Sequence, residues 1–143
     1  MLKTLLTSFF LVTAAPLLQA HCQLPCGIYH DDLEFALISE SIETINKALK
    51  ELEGHDSQTP EDRNQTVRWV LEKEKQADFI ANRMSYYFLQ QRIKAESKGY
   101  ESLLKSAHQV LVFSMKVKQT VDQDVVDSLE KEVDVFKRLY SKK

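Results

Sequence analysis

Four stretches of this sequence place apolar residues three and four positions apart, and that spacing restricts the chain to amphipathic helices that must share a core. The first stripe is Leu33, Leu37, Ile38, Ser41, Ile42, Ile45, Ala48, Leu49 and Leu52, followed by Gly54, a residue suited to a helix stop. A polar loop, GHDSQTP, comes next. Thr59 is expected to cap the second helix, with Pro60 at its first position and Asp62 three residues beyond the cap. The second stripe is Val67, Val70, Ala77, Ile80, Met84, Tyr87, Phe88 and Ile93, and Gly99 marks its break. Leu103, Leu104, Ala107, Val110, Leu111, Ser114 and Val117 form the third stripe. After a short connection at 120–124 the fourth follows, with Val125, Val126, Leu129, Val133, Phe136 and Leu139. No such helix can bury its stripe alone. The expected fold is therefore all-α, an antiparallel four-helix bundle over residues 30–143. Met84 and Phe136 should fill its core, whereas Trp69 and Tyr86 fall off the stripe and are candidates for a subunit interface.

Composition agrees and excludes some partners. Three glycines and three prolines in 143 residues leave little turn chemistry for a β architecture. A net charge of -2, without a run of like charges, does not suit binding to nucleic-acid phosphates. Residues 1–20, MLKTLLTSFFLVTAAPLLQA, have Lys3 ahead of an apolar stretch from Leu5 to Leu18 and end on the small Ala20. That is the layout of a signal peptide. Thr4, Thr7, Ser8, Thr13 and Pro16 dilute the stretch, and a membrane span needs about 20 strongly apolar residues. A leader-processing peptidase cutting after Ala20 would make His21 the amino terminus. The mature protein would be periplasmic or secreted and off the membrane, with a cytoplasmic location as the alternative.

The chemistry-bearing residues are concentrated in HCQLPCGIY, residues 21–29, which holds both cysteines of the chain and one of its four histidines. Two cysteines this close in an exported protein commonly form a disulfide, and a metal-scavenging tail is a second plain use. Coordination chemistry offers a third. A terminal His21 supplies an amine, and that amine, the Cys22 amide nitrogen and the Cys22 thiolate close consecutive chelate rings around one ion. Cys26 adds a second thiolate once the Pro25-Cys26-Gly27 turn brings the chain back. Two nitrogens and two sulfurs in a plane suit nickel or copper rather than tetrahedral zinc, and the His21 imidazole is left over as an axial ligand. Thiolate and amidate donors also bring the higher oxidation state of nickel within reach.

This segment resembles the amino-terminal nickel hook of the nickel superoxide dismutases, whose pattern is His-Cys-x-x-Pro-Cys-Gly-x-Tyr. His21, Cys22, Pro25, Cys26, Gly27 and Tyr29 fill every fixed position. NQTVRWV (64–70) and YYFLQQRIK (86–94) are similar to family sequence as well. The resemblance implies an oxidoreductase that converts superoxide to hydrogen peroxide and dioxygen by Ni(II)/Ni(III) cycling, in a four-helix bundle assembled as a hexamer. It implies nickel held by the His21 amine and imidazole, the Cys22 amide and thiolate and the Cys26 thiolate. It places Tyr29 over the open face as a gate for small anions and matches Tyr87 to a second tyrosine near the site, although Tyr87 equally suits the core. A glutamate and an arginine that orient the imidazole are implied too; Glu34, Glu40 and Arg68 are candidates. Gln23 stands where the family often has aspartate. His30, His55 and His108 lack metal-ligand spacing and read as ordinary histidines. Two other functions stay open: an exported helical binding module with Cys22 and Cys26 as a disulfide, and a nickel or copper carrier.

Overall fold

A computed structural model describes residues 30–54 and 58–142. Helix α1 is Asp31–Gly54 and α2 is Pro60–Asn82, which runs without a break into a π-helical segment, Arg83–Arg92. Helices α3, Tyr100–Lys118, and α4, Gln123–Tyr140, complete the chain. Helix α1 packs on α2 and α4, and α3 packs on α2 and α4, so the four close into a bundle around one core.

The helix ends follow from local chemistry. Thr59 caps α2 as expected: its hydroxyl oxygen accepts the Asp62 amide at 3.0 Å while its proton goes to the Asp62 carboxylate at 2.9 Å. Asp122 caps α4 by accepting the Asp124 amide at 3.0 Å. Gly99 precedes α3 with φ of 71°, a left-handed backbone that glycine adopts without a Cβ clash. α1 ends at Gly54, also as expected.

The core is built from the four stripes. Ile38, Ile45, Ile80, Met84, Phe88, Val110, Leu129 and Phe136 are fully buried. At the end of the bundle where α1 starts and α4 stops, the ring of Phe88 lies 4.8 Å from Phe35, 5.1 Å from Tyr87 and Phe136, and 5.3 Å from Tyr140.

Three positions depart from the expected stripes. Leu33 is 45% exposed because it lies about 200° around α1 from the buried Phe35. Val67 is 57% exposed for a similar reason, six residues or about 240° from the first buried position of α2. That buried position is Lys73, only 2% exposed and not expected inside a core. Its ammonium donates to the carbonyl oxygens of Val117, Lys118 and Thr120 at 2.5, 3.2 and 2.9 Å. A cation thereby satisfies the last carbonyls of α3 and faces the negative end of that helix, while burial pulls its pKa down. Trp69 is half-buried with Lys47 Nζ 5.6 Å from its ring centre, and Tyr86 is exposed.

Candidate metal centre

The structure is described from His30 onward, so His21, Cys22, Cys26 and Tyr29 lie outside the described residues, as do the 1–20 leader and His55. Among the described residues, no three His, Cys, Asp or Glu side chains are gathered to hold a metal ion. What is described is the base from which residues 21–29 depart, and it is elaborately held.

His30 is exposed, with φ of 68°, a left-handed backbone that costs a non-glycine residue about 1–2 kcal/mol. Its carbonyl accepts the Leu33 amide at 3.3 Å and so opens α1. Asp31 follows, and its carboxylate collects partners from two other elements. One oxygen accepts the Tyr87 hydroxyl at 2.5 Å and lies 2.9 Å from Nε of Arg92. The other accepts the Tyr140 hydroxyl at 2.6 Å and Nη2 of Arg92 at 3.0 Å. Each oxygen thus has one phenol and one guanidinium nitrogen. Burial alone would raise the Asp31 pKa, but Arg92, Tyr140 and Tyr87 together hold it down at about 2. Burial and donation to this carboxylate push the Tyr140 hydroxyl up to about 12 and raise Tyr87 further still. At any physiological pH the cluster is one anion, one cation and two neutral phenols.

One turn along α1, Glu34 is 4% exposed, with Oε2 3.5 Å from Nε of Arg83 and without a hydrogen-bond partner. Of the two candidates for the glutamate that orients the imidazole, Glu34 is therefore the buried one, while Glu40 is exposed. Its arginine is Arg83; Arg68 lies exposed on α2. Tyr87 is the buried core aromatic that one of its two readings gave, and its hydroxyl donates to Asp31 at the start of α1.

Asp31 and Glu34 of this first turn are each met by an arginine of the π-helical segment, and its winding is the reason. Arg83, Tyr87 and Arg92 are spaced four and five residues apart. In an α-helix of 3.6 residues per turn, Arg92 would sit about 2.5 turns from Arg83, on the opposite face. Hydrogen bonds from i to i+5 widen the turn and bring all three onto one face. Sequence reasoning at the α-helical period missed Arg83, Arg92, Asp31 and Tyr140. A signal existed: the buried positions Ile80, Met84, Phe88 and Ile93 step by four, four and then five.

The family model for nickel-containing superoxide dismutase matches residues 17–143. No curated protein and no solved structure matches the chain. The residues fit the metal on two counts. The imidazole of His21 and the thiolates of Cys22 and Cys26 are donor types that suit nickel, and Oε2 of Glu34, beside Arg83 but without a hydrogen bond, is an acceptor able to take an imidazole N–H. With nickel as its cofactor and superoxide as its substrate, the chain belongs to the nickel-containing superoxide dismutases.

Proposed function

We propose that superoxide is dismuted at a hook formed by residues 21–29 once residues 1–20 have been removed. The observation that carries this reading is the family match over 17–143, together with an intact HCQLPCGIY inside it. The His21 amine and imidazole, the Cys22 amide and thiolate and the Cys26 thiolate would hold the ion. Bound there, nickel supplies one-electron chemistry, alternating between Ni(II) and Ni(III). One superoxide gives up an electron and leaves as dioxygen; the next takes that electron and two protons and leaves as hydrogen peroxide.

The protein's own residues govern access and protons. Tyr29, a neutral phenol at physiological pH, can donate a hydrogen bond to a small anion without competing for the metal. Tyr87 cannot repeat that role, because its proton is given to Asp31. A homo-oligomer, a hexamer by family resemblance, and export to the periplasm or beyond complete the reading. Half-buried Trp69 on α2 and exposed Tyr86 on the π-helical segment remain the candidates for a subunit contact.

The purified mature protein is expected to begin at His21 and to carry about one nickel per chain. Chelation should abolish superoxide consumption, and nickel alone should restore it; terminal sequencing, elemental analysis and a superoxide-decay assay read these out. A metal-free Cys22–Cys26 disulfide would instead mean a binding module, and bound nickel without turnover would mean a carrier.

A further inference from the structure

We propose that Asp31 is a positioning residue for the nickel hook: its carboxylate fixes where residues 21–29 leave the bundle and fixes the direction of the Tyr87 hydroxyl. The inference rests on the hook reading above.

Placement is the first argument. Asp31 lies two residues beyond Tyr29 and five beyond Cys26, and five residues span at most about 18 Å. A shift of the first turn of α1 is therefore passed along a short tether to the proposed ligands. A misplacement near 1 Å can cost about 100-fold in rate.

The second argument is that the contacts exceed what a helix start requires. An acidic residue in the first turn helps by facing the exposed amides and the positive end of the helix, and water can serve its oxygens. Here one carboxylate instead binds Tyr87 and Arg92 of the π-helical segment and Tyr140 of α4, tying three elements together. The strained His30 immediately precedes it, and such strain persists only where the surroundings determine the backbone firmly. The π winding that turns Arg92 onto the Tyr87 face serves this same carboxylate.

The third argument concerns protons. A phenol has one proton and two accepting lone pairs. With that proton on Asp31, Tyr87 presents an accepting oxygen to anything bound beside it. Asp31 thus decides that Tyr87 can orient a donor, such as a water or a phenol, and does not itself deliver a proton.

The test uses the nickel-loaded mature protein carrying Asp31→Asn, which keeps the shape and one accepting oxygen but removes the charge. Nickel content should stay at the parental level. Turnover should fall about tenfold to 100-fold, and the electron paramagnetic resonance spectrum of Ni(III) should change in g-values or linewidth. Hydrogen exchange in a peptide covering 21–30 should rise about tenfold, with exchange in α3 unchanged. Asp31→Glu, which restores the charge one methylene too long, should recover part of the turnover. Tyr140→Phe removes a single donor and should move the same readouts less; it decides the matter if Asp31→Asn does not fold. A folded variant with parental spectrum, turnover and exchange at 21–30 overturns the proposal, whatever its melting temperature. If the parent binds no nickel, the hook reading fails, and exchange at 21–30 in the metal-free protein still decides whether Asp31 positions the segment.

Discussion

Changing Cys22 or Cys26 to serine is expected to lower superoxide turnover by more than about 100-fold, beyond the loss typical of removing a group that only hydrogen-bonds to a metal ligand. A serine hydroxyl remains protonated at neutral pH and is a hard donor. A cysteine thiolate is soft and places electron density on the metal, which keeps the higher oxidation state of nickel accessible. One thiolate alone should leave that state out of range. His21→Gln should behave differently. The amine, the Cys22 amide and both thiolates would remain to hold nickel, while turnover should fall for want of the imidazole. Elemental analysis together with stopped-flow superoxide decay separates the two outcomes. Full turnover in either serine variant would remove residues 21–26 from the chemistry.

Phe88→Ala is expected to destabilise the protein by about 3–5 kcal/mol, the range for removing a large buried aromatic side chain. Phe88 is fully buried and its ring touches those of Phe35, Tyr87, Phe136 and Tyr140. Tilted and edge-on ring pairs add to the area term, and the cavity left behind has rigid walls on four sides. Against a total stability of about 5–15 kcal/mol, that loss is a large fraction. The effect reaches the site as well, because the same rings hold Tyr87 and Tyr140 against Asp31. Chemical denaturation of the metal-free protein measures it, with Tyr86→Ala, at an exposed position, expected to stay within about 0.5 kcal/mol. A cost below about 1 kcal/mol for Phe88→Ala would show that the core collapses around the gap.

What the sequence reveals divides along physical lines. Helical periodicity reports burial within one element, so Ile38, Ile45, Ile80, Val110, Leu129 and Phe136 were legible as core, and Thr59 was legible as a cap. Periodicity is blind to which side of a stripe meets a neighbour, and so it puts Leu33 and Val67 inside although they are exposed. A buried lysine is equally illegible: Lys73 is inside only because it meets carbonyls 44 to 47 residues away. The Asp31 cluster depends on contacts across 56 to 109 residues and on π winding, neither of which local spacing displays. The proposed ligands are read from the sequence on the opposite ground. Chelation by a terminal amine, an adjacent amide and thiolates is local chemistry, and nine consecutive residues contain all of it.

The most direct measurement compares two nickel-loaded chains, one beginning at His21 and one with a single alanine added before it. The addition converts the His21 amine into an amide and leaves every side chain in place. Superoxide turnover by the chain that starts at His21, and its loss in the extended chain, is the predicted result; equal turnover by both would contradict a catalytic centre built on the His21 amine.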